Sequence, residues 1–154
     1  MYLLTKLLTK DCIQVANFVQ SWQEAIRLAA DPLIRQYKIE QRYIEAMIQS
    51  IEQYGPYVVI TPKVAIPHAR PTDGVHALAV SLLRLQQPVF FSPNQPVFLI
   101  IVLAAIDNTS HLQALADLTL VLQHPDQIDS LIACQHEEDI REKIIQYTTK
   151  ESAG

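Results

Sequence analysis

The stretch Val97-Phe98-Leu99-Ile100-Ile101-Val102-Leu103-Ala104-Ala105-Ile106 is the longest apolar run in the chain. A membrane-spanning helix needs about 20 predominantly apolar residues, so this run is too short to cross a bilayer. We therefore predict a β-strand that is covered on both faces, and the most buried strand of the protein. Residues 107–110, Asp-Asn-Thr-Ser, are typical of a helix start and predict a helix over 111–123.

The segments around this strand alternate between strand and helix patterns. Residues 75–85 carry apolar side chains at even and odd positions, which is typical of a strand buried on both faces. We also predict an edge strand within 12–19, short strands at 57–60 and 64–66, and a loop marked by Pro88, Pro93 and Pro96. Helices are predicted within 1–10 and over 40–54, 125–134 and 137–147.

A further helix begins at a capping box, in which the Ser21 hydroxyl and the Glu24 carboxylate are three residues apart. Pro32 lies inside its apolar pattern, so we expect a kink or a break near Asp31. The order of elements predicts the α/β class, a single layered domain with helices on both faces of a sheet. The length of 154 residues suits one domain, which we place at 1–150 with a frayed tail at 151–154.

The composition excludes several classes of function. The formal net charge is -4 and no run of Lys and Arg occurs, so we expect no nucleic acid and no anionic membrane as a partner. Three glycines are too few for a phosphate-cradling loop or a dinucleotide fingerprint. The N-terminus carries charges and no cleavage site, and Cys12 and Cys134 are typical of reduced, buried thiols. Both features indicate a cytoplasmic protein.

A second stretch, Pro67-His68-Ala69-Arg70-Pro71, carries the candidate chemistry. Its two prolines restrict their own φ angles and the residues before them, so the segment is predicted to be stiff and extended. Alternate side chains of an extended chain point to the same side, which brings Arg70 near His68. An imidazole is a good nucleophile near neutral pH, and a guanidinium can hold two oxygens of a phosphoryl dianion.

A third feature is Thr109-Ser110-His111. With Ser110 or Thr109 as the cap, His111 stands in the first helical turn, where free N–H groups favour an anion. We expect His68, Arg70 and His111 to converge on one anion site, with Ser110 as a further phosphate-binding residue. Other interpretations stay open at this point: a loop histidine without a role, a solvated arginine and a polar first-turn residue.

The segment Val64-Ala65-Ile66-Pro67-His68-Ala69-Arg70-Pro71 resembles the phosphorylation site of the enzyme IIA domains of the mannitol/fructose class, in the bacterial sugar phosphotransferase system. Residues 43–47, Tyr-Ile-Glu-Ala-Met, resemble the helix ahead of that site, and residues 107–112 resemble the segment of the family's second histidine. Residues 54–59, together with Pro-His-Ala-Arg-Pro, are most similar to the ascorbate-type branch. The resemblance covers nearly the whole chain.

This resemblance implies a mixed sheet flanked by helices and a phosphocarrier role. His68 would accept a phosphoryl group from the histidine phosphocarrier protein and donate it to a cysteine of a cognate enzyme IIB. His111 would orient that group, and a membrane enzyme IIC would be an indirect partner in the uptake of ascorbate or a related sugar or polyol. The resemblance implies no metal and no cofactor, suggests a shallow apolar rim around His68, and leaves a homodimer open.

One position departs from the family pattern. Many mannitol-type relatives carry an arginine in the helix before the site, where this chain has Ser50, so Arg70 is the candidate to supply that charge. Two other functions stay open. One is a regulatory protein that signals through phosphorylation of His68, and the other is a small-molecule binding module in which His68 is never phosphorylated.

Overall fold

The computed structural model describes the backbone of residues 2–153 and the side chains of residues 2–149. Its strands are β1 (Ile13–Ala16), β2 (Val59–Thr61), β3 (Lys63–Ala65), β4 (Ala79–Phe90) and β5 (Pro96–Ala104). Its α-helices are α1 (Leu3–Leu7), α2 (Trp22–Arg35), α3 (Gln41–Tyr54), α4 (Leu112–Leu122), α5 (Pro125–Ala133) and α6 (Glu137–Ala153). Short 3-10 turns lie at Lys10–Cys12 and Pro71–Asp73.

The strands form one sheet in the order β1-β4-β5-β3-β2. β5 lies at its centre, antiparallel to β4 and parallel to β3, and its residues 99–104 are all buried. β1 is parallel to β4 at one edge, and β2 is antiparallel to β3 at the other. The sheet is therefore mixed. The strand that was predicted to be most buried lies at its centre, and the predicted edge strand is confirmed.

Helices cover both faces of the sheet. The Ser81 hydroxyl of β4 donates to the Ala29 carbonyl of α2 at 2.6 Å, whereas the Arg84 guanidinium reaches the Ile132 carbonyl of α5 at 3.4 Å. Side chains three positions apart in a strand point to opposite faces, so α2 and α5 lie on opposite sides of the sheet. The predicted α/β class, a single layered domain with helices on both faces, is confirmed.

Two predictions about β4 are wrong. The strand begins at Ala79 rather than at 75, because Val75 forms only an isolated bridge outside the ladder. It also runs through Pro88, so the predicted proline loop is reduced to 91–95. The register with β5 shifts between Arg84 and Val89. A proline has no N–H for a sheet ladder, and such an irregularity is where one is tolerated within a strand.

The predicted break near Asp31 is also wrong, because α2 continues through Pro32. A proline lacks the N–H that would pair with the carbonyl four residues earlier, here that of Leu28. The side-chain amide of Gln14, in β1, donates to this carbonyl at 2.7 Å. The neighbouring strand thus satisfies the acceptor that Pro32 leaves open, and the helix does not have to end.

Replacing Gln14 with alanine is expected to lower the free energy of unfolding by about 1–2 kcal/mol, because the Leu28 carbonyl loses its donor. In a Pro32→Ala background the restored N–H makes that bond within the helix, so the same change should cost less than about 0.5 kcal/mol. Denaturant unfolding of the whole double-mutant cycle measures both costs. Equal costs in the two backgrounds would contradict this role of Gln14.

The remaining predictions concern a helix cap, the cysteines and the chain end. The Ser21 hydroxyl accepts the Glu24 N–H at 3.1 Å, which confirms the cap of α2, and Cys12 and Cys134 are free, buried thiols as predicted. α6 extends to 153, beyond the predicted end at 147, while Gly154 lies outside the described residues. The division into 1–150 and a tail over 151–154 stays a prediction. Within residues 2–153, no helix has the length and apolar character to span a membrane.

Candidate active site

A cleft of about 760 Å³ opens at the carboxyl end of the central strand β5. Its walls come from α3, from the segment 66–71 that follows β3, and from the residues around the start of α4. His68, Arg70 and His111 all line it, so the three side chains that were expected to converge lie around one cleft. Ser110 is not among the described residues that form its walls.

The segment that carries His68 has no regular secondary structure, but it is anchored on both sides of the histidine. Before it, the Pro67 carbonyl accepts the N–H of Leu103, in β5, at 3.2 Å. After it, the Ala69 N–H donates to the hydroxyl of Tyr43, in α3, at 3.0 Å. The backbone of His68 is therefore held between the central strand and a helix, as a rigid site requires.

Tyr43 is the buried link between this segment and β5. Its hydroxyl accepts the Ala69 N–H and donates to the Leu103 carbonyl at 2.6 Å. Burial raises the pKa of the Tyr43 hydroxyl to about 12, so the proton that this donation needs is retained at neutral pH. Sequence analysis did not identify this role, because Tyr43 lies on the apolar stripe of its helix and no local signal separates it from an ordinary core aromatic residue.

The His68 ring has a defined orientation. Its Nδ1 lies 2.9 Å from the carbonyl oxygen of Ile66. A carbonyl only accepts hydrogen bonds, so Nδ1 carries the proton and the neutral ring has its lone pair on Nε2. The side chain is exposed, which leaves Nε2 free to meet an incoming group. This geometry suits a nucleophile more than a structural histidine.

Arg70 lies on the wall of the same cleft with an 85% exposed side chain. Its backbone N–H donates to the Asp73 carboxylate at 3.0 Å, and its Nε lies 3.6 Å from the same oxygen. Such an exposed ion pair is weak, so the guanidinium can leave Asp73 for a stronger anion at little cost. Arg70 is therefore available to the cleft.

The predicted cap of α4 by Ser110 or Thr109 is wrong. His111 itself occupies the cap position, and the Asp107 carboxylate accepts the N–H groups of Ser110 at 2.6 Å and Thr109 at 3.0 Å. These two bonds hold the pKa of the Asp107 carboxyl below its usual value, and the bond from the Ser110 N–H has the larger effect. Asp107 thus closes a turn with the residues that follow it, and the side chain of the cap residue makes no hydrogen bond to the first turn of α4.

Two polar atoms at the start of α4 have no hydrogen-bond partner within the described part of the chain. They are the Oγ of Ser110 and the Nδ1 of His111, and both are inaccessible to solvent. Buried polar atoms are normally paired, and of these two residues only His111 lines the cleft, so its unpaired Nδ1 favours a role of this side chain in binding. The phosphate-binding role of Ser110 stays a prediction, since its side chain is not on the cleft wall.

Two further side chains of the cleft were missed by sequence analysis. The ring of Tyr57 meets the His68 imidazole edge to face, with centroids 6.0 Å apart and an interplanar angle of 86°. The Tyr57 hydroxyl lies 2.7 Å from the hydroxyl of Ser50, in α3. Sequence analysis identified Ser50 only as the position of an absent arginine, and it assigned Tyr57 to a short strand.

Comparison with known proteins shows the family of this chain. A family model described as "Phosphoenolpyruvate-dependent sugar phosphotransferase system, EIIA 2" matches residues 6–147. The ascorbate-specific PTS system EIIA component of Escherichia coli K12 is 33% identical over 147 residues, which cover 94% of this chain and 96% of that protein.

Solved structures agree with the fold. The mannitol-specific cryptic phosphotransferase enzyme IIA CmtB of Escherichia coli is 32% identical and superposes with a TM-score of 0.86, covering 93% of this chain and 98% of CmtB. Enzyme IIAMTL of Escherichia coli, in complex with phosphorylated enzyme IIBMTL, has the same fold at 23% identity, with a TM-score of 0.79 and coverage of 91% and 99%. These matches confirm the resemblance that residues 64–71 carry, and the chain belongs to the EIIA type 2 family of phosphotransfer components in the sugar phosphotransferase system.

Proposed function

We propose that His68 is the phosphoryl carrier of this EIIA protein. It accepts a phosphoryl group from the histidine phosphocarrier protein and donates it to a cysteine of a cognate enzyme IIB. The observation that carries this proposal is the 2.9 Å contact between His68 Nδ1 and the Ile66 carbonyl. It leaves Nε2 of an exposed imidazole as the nucleophile, beside a cleft that Arg70 and His111 also line.

In the first step the Nε2 lone pair of His68 attacks phosphorus and a new P–N bond forms, while the P–N bond to the carrier's histidine breaks. In the second step the thiolate of enzyme IIB displaces His68, which regains its lone pair. Charge develops on the phosphoryl oxygens, so positioning and electrostatic stabilisation supply the catalysis. Arg70 and His111, at the start of α4, are the groups that we assign to those oxygens.

The partners follow from the same proposal. The Escherichia coli enzyme IIAMTL was solved with phosphorylated enzyme IIBMTL, and the curated relative is named ascorbate-specific. We extend these roles to this chain, with a cognate enzyme IIB as the phosphoryl acceptor and a membrane enzyme IIC as an indirect partner. The transported compound is then ascorbate or a related sugar or polyol, and the protein works in the cytoplasm without a metal or a cofactor.

The proposal is tested by incubating the protein with phosphoenolpyruvate, enzyme I and the histidine phosphocarrier protein. We expect an acid-labile mass gain of one phosphoryl group on the peptide that contains His68. Addition of the cognate enzyme IIB should then move that group to its cysteine. No mass gain on His68 would overturn the proposal, and a phosphorylated protein that no enzyme IIB can discharge would favour the regulatory function instead.

Arg70→Ala is expected to slow phosphoryl transfer to His68 by about tenfold to a hundredfold, because a charge-assisted contact to the transferring group is lost. The fold should persist, since the Arg70 side chain is 85% exposed. The transfer rate of Arg70→Lys should lie between those of the unmodified protein and Arg70→Ala, because lysine keeps the charge and loses the planar fork. Rapid-quench kinetics with the phosphorylated carrier protein measure the rate.

Arg35→Ala is the matched control for Arg70. Arg35 is also an exposed arginine, it pairs with Asp31 within α2, and it is not among the described residues of the cleft wall. We expect phosphoryl transfer to His68 in this control variant to be as fast as in the unmodified protein. A wild-type rate in Arg70→Ala would remove Arg70 from the site, and an equal loss in both variants would indicate a general effect of surface charge.

A further inference from the structure

The environment of the His68 ring contains a second fixed contact besides the Ile66 carbonyl. The ring of Tyr57 stands perpendicular to the imidazole at a centroid distance of 6.0 Å. Edge-to-face pairs of this kind are favourable because the positive edge of one ring meets the negative face of the other. The hydrogen bond at Nδ1 fixes one atom of the imidazole, and the Tyr57 ring restricts rotation of the ring about that point.

Tyr57 is itself held in place by α3. Its hydroxyl lies 2.7 Å from the hydroxyl of Ser50, which is about one helical turn before the end of the helix. The chain reverses at Gly55, whose φ of 86° lies in the region that favours glycine, and the Tyr57 N–H donates to the Gly55 carbonyl at 2.9 Å. This turn folds Tyr57 back along the helix, so that its ring stands between Ser50 and His68.

We propose that Tyr57, fixed by Ser50, is a positioning residue that keeps the His68 imidazole in the orientation in which Nδ1 is bonded to Ile66 and Nε2 faces the partner. This inference rests on the proposed phosphocarrier function and deepens it. We assign Tyr57 to the ring of His68 and not to the phosphoryl group, because its own ring makes the contact with His68 while its hydroxyl meets Ser50. The role requires the aromatic ring most and the hydroxyl less.

The test compares single-turnover transfer from the phosphorylated histidine phosphocarrier protein in four variants: Tyr57→Leu, Tyr57→Phe, Ser50→Ala and the double variant S50A/Y57F. Tyr57→Leu removes the ring and should lower the rate at saturating carrier by about tenfold, with the half-saturating concentration unchanged. Tyr57→Phe and Ser50→Ala each remove only the contact between the two hydroxyls, and each should lower the rate at saturating carrier by about twofold to threefold. Their double variant should be no slower than either, since both remove one interaction.

A second readout does not depend on transfer. Heteronuclear NMR of the His68 ring nitrogens reports which nitrogen carries the proton. We expect the share of rings protonated at Nδ1 to fall in Tyr57→Leu and to stay unchanged in Tyr37→Leu. Tyr37 is the matched control because it is an exposed tyrosine, 85% accessible, that is not among the described residues of the cleft wall.

The outcomes separate this inference from the function on which it rests. A raised half-saturating concentration with an unchanged saturating rate in Tyr57→Leu would make Tyr57 a docking residue and overturn the positioning role. An unchanged rate together with an unchanged ring population would also overturn it, while the carrier function of His68 stands. If the unmodified protein takes up no phosphoryl group but the ring population shifts in Tyr57→Leu, the positioning role is supported and the carrier function fails.

Discussion

His68→Asn is expected to abolish phosphoryl uptake from the phosphorylated histidine phosphocarrier protein, with a loss on the order of 10⁴-fold or more. The asparagine amide can still donate to the Ile66 carbonyl, in the place of Nδ1, so the backbone of the segment keeps its hydrogen bond. It offers no lone pair in the place of Nε2, and no covalent intermediate can form. The measurement is the mass gain and its rate, in parallel with a thermal or denaturant unfolding curve that shows an intact fold.

His111→Gln is the control for this result. His111 lines the same cleft, but we assign it to the oxygens of the phosphoryl group and not to the bond that forms. The variant should therefore be phosphorylated slowly and still to completion, because the nucleophile is present and one stabilising contact is lost. A His68→Asn protein that is phosphorylated, or a loss of phosphorylation only in His111→Gln, would reverse the roles of the two histidines.

Tyr43→Phe is expected to lower the free energy of unfolding by about 2 kcal/mol. The change leaves both the Ala69 N–H and the Leu103 carbonyl without their present partner, in a buried position. It also frees the backbone next to His68. Small displacements at a reacting group are costly, so phosphoryl transfer should slow by about tenfold or more. Denaturant unfolding measures the first effect and rapid-quench kinetics measure the second.

Tyr37→Phe serves as the control for the loss of a hydroxyl. Tyr37 is 85% exposed and is not among the described residues of the cleft wall, so its hydroxyl is solvated before and after unfolding. We expect a change of less than about 0.5 kcal/mol in the free energy of unfolding. If Tyr43→Phe is as stable and as fast as Tyr37→Phe, the buried link between α3, Ala69 and the central strand has no energetic role.

The Tyr43 hydroxyl also makes the stability depend on pH. Its pKa is raised from 10.0 to about 12 in the folded protein, because burial disfavours the phenolate. The folded state therefore binds the proton more tightly than the unfolded state between these two values. The stability that Tyr43 contributes is complete below about pH 10 and is lost as the pH rises toward about 12, by about 1.4 kcal/mol per pH unit.

The comparison with Tyr43→Phe isolates this effect from the titration of other groups. The difference in free energy of unfolding between the two proteins should be constant up to about pH 9.5 and should shrink above it. Unfolding curves in denaturant at several alkaline pH values measure that difference. A constant difference across the alkaline range would show that Tyr43 is not buried as a neutral hydrogen-bonded group.

Local patterns located most strands and helices and the segment that carries His68, but not the ends of β4 or the continuation of α2 through Pro32. The apolar run over 97–106 is buried because its composition leaves no polar face, and the prolines around His68 restrict the segment whatever surrounds it. The polar groups before α4 were harder to assign. The helix-start signal at 107–110 indicated a hydroxyl cap, whereas Asp107 pairs with the N–H groups of Thr109 and Ser110 in a turn before the helix, and the cap residue of α4 makes no side-chain hydrogen bond.

By itself the sequence determined the α/β class, the most buried strand and a stiff, exposed histidine near an arginine, because these depend on hydrophobicity and backbone restrictions within a few residues. Only the tertiary structure decided that Gln14 lets α2 continue through Pro32, that Tyr43 joins Ala69 to the central strand, and that Tyr57 stands against His68. These partners are between 11 and 60 positions apart, or on different elements, and no local pattern specifies which polar group will satisfy a distant one.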